Sequence, residues 1–255
     1  MSSTSNLQIL ELQDVSFMYS KNKQIIRDLK FNIGNGEFIG LLGANGSGKS
    51  TILKLASGIL KPSSGSIKLW NKLLQSYRNK DRAKLLCYLP QILDMNLPFT
   101  VRELVAMGIY PYDIPPQMSV DEAIDAVGLS ESYIANLSGG ERRRVFIAMT
   151  LVQGAGLLLL DEPLANLDIK YQLELLRLLR DLKEKRGISI IMALHDINIA
   201  LNFEKVILIK NGEMLGIGDP GSVLTASMIE KAFDVAVEIK RSERGGTYIS
   251  YEGNL

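Results

Sequence analysis

Three groups of residues have the types and spacing to handle a nucleoside triphosphate. Gly43-Ala44-Asn45-Gly46-Ser47-Gly48-Lys49-Ser50, followed by Thr51, fits G-x-x-x-x-G-K-[ST] between a predicted strand and a predicted helix. Its glycines let the backbone wrap a phosphate with successive N–H groups turned inward. The positive end of the helix dipole lies behind them. Lys49 would neutralise β- and γ-phosphate charge, and the Ser50 hydroxyl would coordinate Mg²⁺. The second group is the apolar run Leu157–Leu160 followed by Asp161 and Glu162. It reads as a buried strand with two carboxylates at its C-terminal end, the edge where doubly wound sheets bind ligands. Asp161 would hold the ion, and Glu162 would polarise an attacking water. The third group, Ser138-Gly139-Gly140-Glu141, opens a helical stretch and makes a second anion-seeking N-terminus. One γ-phosphate needs only one such loop.

The elements that must position these groups follow from periodicity. Residues 7–38 read as antiparallel strands, with Leu7–Gln13 alternating apolar and polar. Asn35-Gly36 reads as a hairpin turn between Leu29–Ile33 and Phe38–Leu42. Ser50–Leu60 is expected to be the helix after the glycine-rich loop, and Gly65–Leu74 another hairpin. From Leu93 to Thr150 the pattern turns helical, with Thr100 and Glu103 spaced as a capping box. Tyr110–Pro116 is proline-rich and expected to be loop, and Val120–Val127 a short helix closed by Gly128. Asp168–Arg186 carries a leucine stripe and ends at Gly187. Ile188–Leu194 and Val206–Lys210 read as buried strands, and a small helix and a hairpin at Gly245-Gly246 end the pattern.

Composition narrows the function classes. The chain has 255 residues, 46% hydrophobic and 22% charged, the balance of a globular protein. Its net charge of +1 argues against wholesale binding to nucleic acid or anionic lipid. Arg142-Arg143-Arg144 is too short a run to reverse that and reads as a solvated face. A single cysteine, Cys87, excludes an internal disulfide and suits a reducing compartment. The polar N-terminus lacks a signal-peptide core, and the densest apolar runs are too short to span a bilayer. A protein of the cytoplasm is expected, peripheral if it works at a membrane.

With these motifs in this order, the chain resembles the ATP-binding cassette ATPases from roughly Leu7 to Phe233. In the terms of that family, Gly43–Ser50 is the Walker A loop, Leu137–Glu141 the signature and Leu157–Glu162 Walker B. Gln91 in Tyr88-Leu89-Pro90-Gln91 matches the Q-loop glutamine, Asp168 the D-loop and His195 the switch histidine. Tyr19 matches the aromatic that stacks on adenine. The resemblance implies an α/β fold: a P-loop NTPase core with a mixed sheet, an N-terminal antiparallel β subdomain and an inserted helical subdomain. One cassette would fill residues 1–255, with 1–91 and 151–255 as the nucleotide-binding core and 92–150 as the helical part. ATP would lie against Tyr19, Gly43, Asn45, Gly46, Ser47, Gly48, Lys49, Ser50 and Thr51, with Mg²⁺ at Ser50, Gln91 and Asp161. Lys49, Gln91, Glu162 and His195 would carry hydrolysis. Ser138, Gly139, Gly140 and Glu141 would cover ATP held by a second copy in a head-to-tail homodimer, which explains the second anion loop.

Two stretches are similar to importers of iron–siderophores, heme and cobalamin: Phe99–Pro111 and Leu194–Ala200. That similarity implies transmembrane permease subunits as partners, a substrate-binding protein acting indirectly, no nucleic acid, and a position at the cytoplasmic face of the membrane. A permease helix is expected near Leu97–Val105, with Leu97 and Phe99 in apolar contact. The rival is a soluble cassette acting on DNA, ribosomes or an iron–sulfur scaffold. Its usual marks, a coiled-coil insertion or a cysteine cluster, are missing from this sequence. Two positions depart from the family pattern: Glu141 replaces the commoner glutamine, and Leu164 stands where many relatives have a small polar residue.

Overall fold

The structure, a computed structural model, describes residues 7–20, 23–91, 98–113, 118–242 and 245–251. Two compact units form, one from residues 1–75 and 191–255, the other from residues 76–190.

The first unit starts with two long strands, β1 (Gln8–Ser20) and β2 (Lys23–Gly34), followed by β3 (Phe38–Leu42) and helix α1 (Lys49–Ala56). Strands β4 (Ser64–Leu69) and β5 (Lys72–Leu73) complete an antiparallel sheet ordered β2-β1-β4-β5. Ile9, Leu10, Leu12, Ile26, Leu29 and Ile33 are sealed in this unit. β3 pairs with neither β1 nor β2. The Asn35-Gly36 turn exists, with Gly36 at φ 72°, but it delivers the chain to a different sheet. The expected hairpin fails because all five residues of β3 are buried. A strand covered on both faces belongs inside a parallel sheet, not beside a half-exposed antiparallel one. Helix α1 is also shorter than its apolar pattern. Gly58 turns left-handed at φ 76°, and the amides of Ile59 and Leu60 close back on the Lys54 carbonyl.

The second unit holds α2 (Asn79–Ala83), β6 (Leu86–Leu89), α3 (Val101–Ala106), α4 (Val120–Ala126), α5 (Gly139–Gln153), β7 (Leu157–Leu160) and α6 (Ile169–Arg186). β6 and β7 run parallel, with Leu86 to Leu89 opposite Leu157 to Leu160. α3, α4 and α5 open with complete capping boxes at Thr100–Glu103, Ser119–Glu122 and Ser138–Glu141. Each satisfies helix N–H groups that would otherwise lack partners. α3, α4 and α5 pack on one another, and Val101, Leu104, Val105, Ile124, Val145 and Ala148 on them are buried. Leu97 lies outside the described residues, and so does part of the Tyr110–Pro116 loop.

β8 (Ser189–Leu194) returns the chain to the first unit, where it neighbours β3. There follow α7 (Ile197–Ala200), β9 (Lys205–Lys210), β10 (Glu213–Gly218), α8 (Pro220–Val223), α9 (Ala226–Phe233), β11 (Val237–Arg241) and β12 (Thr247–Tyr251). β9 lies parallel to β3 and antiparallel to β10, so this sheet is mixed. β11 and β12 form the expected terminal hairpin.

Candidate functional site

In the first unit the glycine-rich loop joins β3 to α1. Gly43 is forced by close approach: a Cβ there would lie 2.4 Å from the Ile209 carbonyl oxygen. Gly48, the residue before α1, sits at φ 107°, a conformation side chains rarely adopt. The loop is pinned from both sides, with Ser47 N–H donating to the Ala44 carbonyl at 3.1 Å and Gly212 N–H to the Ser47 carbonyl at 2.9 Å. Lys49 is 4% exposed, and its ammonium donates to the Gly43 and Ala44 carbonyls at 2.8 and 3.2 Å. The Ser47 hydroxyl is buried without a hydrogen-bond partner among the described residues. Such an orphan costs free energy unless a ligand supplies the partner, and beside a buried cation that ligand is an anion. These residues therefore fit the triphosphate of ATP. Thr51 is buried, Ser50 half-buried, and Asn45 and Gly46 are exposed. Tyr19 is 56% exposed and leans edge-on against Phe17, with centroids 4.8 Å apart. His195 follows β8 and is exposed, and Asp196 beside it accepts from the Ile199 N–H to start α7.

In the second unit the two carboxylates emerge where β7 ends. The Asp161 N–H donates to the Leu89 carbonyl at 2.9 Å, extending the pairing of β6 and β7 by one residue. The Asp161 side chain is buried at 3% exposure, and Tyr88 Oη donates to its Oδ2 at 3.0 Å. Glu162 turns left-handed at φ 47°, and its carboxylate accepts from Gln91 Nε2 at 2.8 Å. Gln91 and Glu162 are 71 residues apart in sequence, so the parallel pairing of β6 and β7 is what brings them together. Ser138 is the N-cap of α5. Its hydroxyl donates to Glu141 Oε2 at 2.7 Å, and its N–H to the same oxygen at 2.9 Å. These bonds hold the Glu141 carboxyl below its ordinary range, the Ser138 hydroxyl first among the causes. Glutamate thus caps here as glutamine would. Gly139 is exposed and Gly140 half-buried, packed so that a Cβ would meet Leu167 at 3.3 Å. Asp168 is the exposed N-cap of α6 and makes no side-chain capping bond.

Two side chains depart from the sequence reading: Tyr88, which it gave no role, and Arg143, expected on a solvated face but buried. The Tyr88 hydroxyl on Asp161 had no signal beyond its place on the strand leading to Gln91. Arg143 is 9% exposed and donates to the Ala165 carbonyl at 2.7 Å. It shares a helical stripe with Phe146, Ile147 and Thr150, all buried, and that spacing could have revealed it.

Residues 26–165 match the ABC transporter family. The petrobactin import ATP-binding protein FpuC of Bacillus anthracis is 38% identical, covering 91% of this chain and 89% of its own. The hemin import ATP-binding protein HmuV of Rhodopseudomonas palustris strain HaA2 is 35% identical, covering 88% of this chain and 90% of its own. The ATP-binding cassette MJ0796, solved as a dimer in a post-hydrolysis state with ADP and Pi, superposes with a TM-score of 0.73 at 27% identity. It covers 83% of this chain and 99% of its own. A family match across more than half the residues, joined to relatives of this identity along most of the chain, settles the matter: it belongs to the ABC transporter family, as an ATP-hydrolysing ATP-binding subunit.

Proposed function

We propose that this chain hydrolyses ATP to power a separate membrane permease that imports an iron chelate of the petrobactin class or heme. The observation that carries hydrolysis is the Gln91–Glu162 hydrogen bond at the end of β7, one residue past buried Asp161. An amide aimed at a half-buried carboxylate keeps that carboxylate oriented as a base for water. The import direction is supported by the names of the petrobactin and hemin relatives, whose similarity takes in nearly the whole chain.

The roles divide by residue. Lys49, Gly43, Asn45, Gly46, Ser47, Gly48 and Thr51 bind the phosphates, and Tyr19 stacks on adenine. Mg²⁺ supplies charge neutralisation at the phosphates when bound. One carboxylate with neutral oxygens suits this ion, which keeps much of its shell as water and phosphate, and Asp161, Ser50 and Gln91 supply that set. Glu162 draws the proton from the attacking water, and His195 hydrogen-bonds the γ-phosphate. Phosphoryl transfer needs little more than such positioning and charge stabilisation. Ser138, Gly139, Gly140 and Glu141 cover the nucleotide of a second copy, with Asp168 nearby at the same interface. The dimeric MJ0796 cassette supports that pairing.

The helical part, residues 92–150, carries force to the permease, and a substrate-binding protein selects the cargo. No helix among the described residues is long and apolar enough to cross a membrane. The proposed place of the chain, as a peripheral subunit at the cytoplasmic face, is supported by the names of its import ATP-binding relatives. Affinity purification from detergent-solubilised membranes tests the reading. A polytopic permease that co-purifies and raises ATP turnover is the expected result, whereas ribosomes or DNA in its place would contradict it.

A further inference from the structure

The three consecutive arginines after Glu141 do different things. Arg142 donates to the Ile134 and Ala135 carbonyls at 3.2 and 3.1 Å, holding the segment that leads into Ser138. Arg144 lies close enough to Glu141 to favour its ionised form. Arg143 turns inward. It is almost fully buried, no carboxylate among the described residues forms an ion pair with it, and burial lowers its pKa. Its one polar contact among the described residues is the Ala165 carbonyl, at 2.7 Å.

Burying a guanidinium without a carboxylate is unfavourable, so its retained hydrogen bond carries weight. Ala165 belongs to the loop between Glu162 and Asp168. That loop is tightly turned, with left-handed residues at Glu162 and Asn166 and the Ala165 N–H closing on the Glu162 carbonyl at 3.1 Å. Gln172 of α6 holds the loop on one side through the Leu164 and Leu167 carbonyls at 3.3 and 3.0 Å. Arg143 of α5 holds the other side. Gly140 packs against Leu167, so α5 touches the loop at a second point. The loop starts at Glu162, and α5 starts at Ser138.

We propose that Arg143 is a positioning residue that locks the Glu162–Asp168 loop to α5, so that Glu162 and Ser138 move as one body. This rests on the reading above, in which Glu162 serves the chain's own ATP and Ser138 serves the partner's. The lock then passes the state of one nucleotide to the other. Its loss slows turnover and weakens cooperativity between the two sites, while nucleotide binding at the glycine-rich loop is untouched.

The test compares Arg143→Met and Arg143→Lys with the parent chain and with Glu162→Gln. Four quantities are read: kcat, the Hill coefficient for ATP, equilibrium ATP affinity, and hydrogen exchange along residues 162–168 and 139–153. Arg143→Met is expected to lower kcat roughly tenfold, bring the Hill coefficient toward one and leave ATP affinity within about twofold. Exchange should rise in 162–168 alone, and Arg143→Lys, which keeps the charge and one donor, should recover part of the loss. Unchanged kcat and Hill coefficient overturn the proposal. So does exchange that rises equally through α5, which marks a packing role only. If Arg143→Met does not fold, Arg143→Gln is judged by the same four readouts. Full turnover in Glu162→Gln would instead sink the assignment of the base, whatever the arginine variants do.

Discussion

At the residue scale, the arrangement around Glu162 separates binding from chemistry. Glu162→Gln preserves the hydrogen bond partner of Gln91 but removes the proposed base. Turnover should fall on the order of 10²–10⁴-fold with ATP affinity nearly unchanged, as steady-state kinetics beside equilibrium nucleotide binding would reveal. Lys49→Ala should do the reverse at the first step. It removes a buried cation that satisfies two loop carbonyls and that we propose neutralises phosphate charge, so ATP affinity should drop about ten- to a hundredfold. Tyr88→Phe deletes only the hydroxyl that donates to Asp161. A hydrogen bond to a charged group is worth about 1.5–3 kcal/mol, so the thermal midpoint should fall by several degrees, and half-saturation by Mg²⁺ should move to higher concentration. A variant with unchanged midpoint and unchanged Mg²⁺ dependence would remove Tyr88 from the site.

At the scale of elements, the strength of each local signal decided how far the sequence could be read. Where punctuation is chemical, sequence and structure agree. The Thr100–Glu103 box caps α3, Gly128 turns left-handed after α4, and Gly187 ends α6. Replacing Thr100 by alanine should cost about 1 kcal/mol through the lost cap, measurable by denaturant unfolding. Asn35-Gly36 misled because a dipeptide can specify a turn but not which strand receives the chain. Only the burial of β3 on both faces decides that, and burial is a tertiary property. The same limit hid Tyr88 and the partner of Arg143, whose burial alone the helical stripe signals. Each acts on a partner far along the chain, 73 residues for Tyr88 and 22 for Arg143. Gly43, Lys49, Asp161 and Glu162 were legible because the glycine-rich loop and the strand-end carboxylates are local patterns with a chemical purpose.

At the scale of the whole molecule, ATP hydrolysis belongs to this chain, and cargo selection is proposed to belong to others. The composite-site reading predicts that Ser138→Arg and Lys49→Ala chains, each inactive alone, regain part of the activity when mixed, because one site of the mixed dimer is intact. Turnover that stays proportional to enzyme concentration down to high dilution would speak for monomers instead. The most direct measurement is uptake of iron-labelled ferric siderophore and of labelled heme by cells that lack this gene and carry either the parent chain or Glu162→Gln. The parent chain is expected to restore uptake of one of the two and Glu162→Gln of neither, although it reaches the membrane in equal amount. Equal uptake with both versions, or uptake that never depends on the chain, would contradict that expectation.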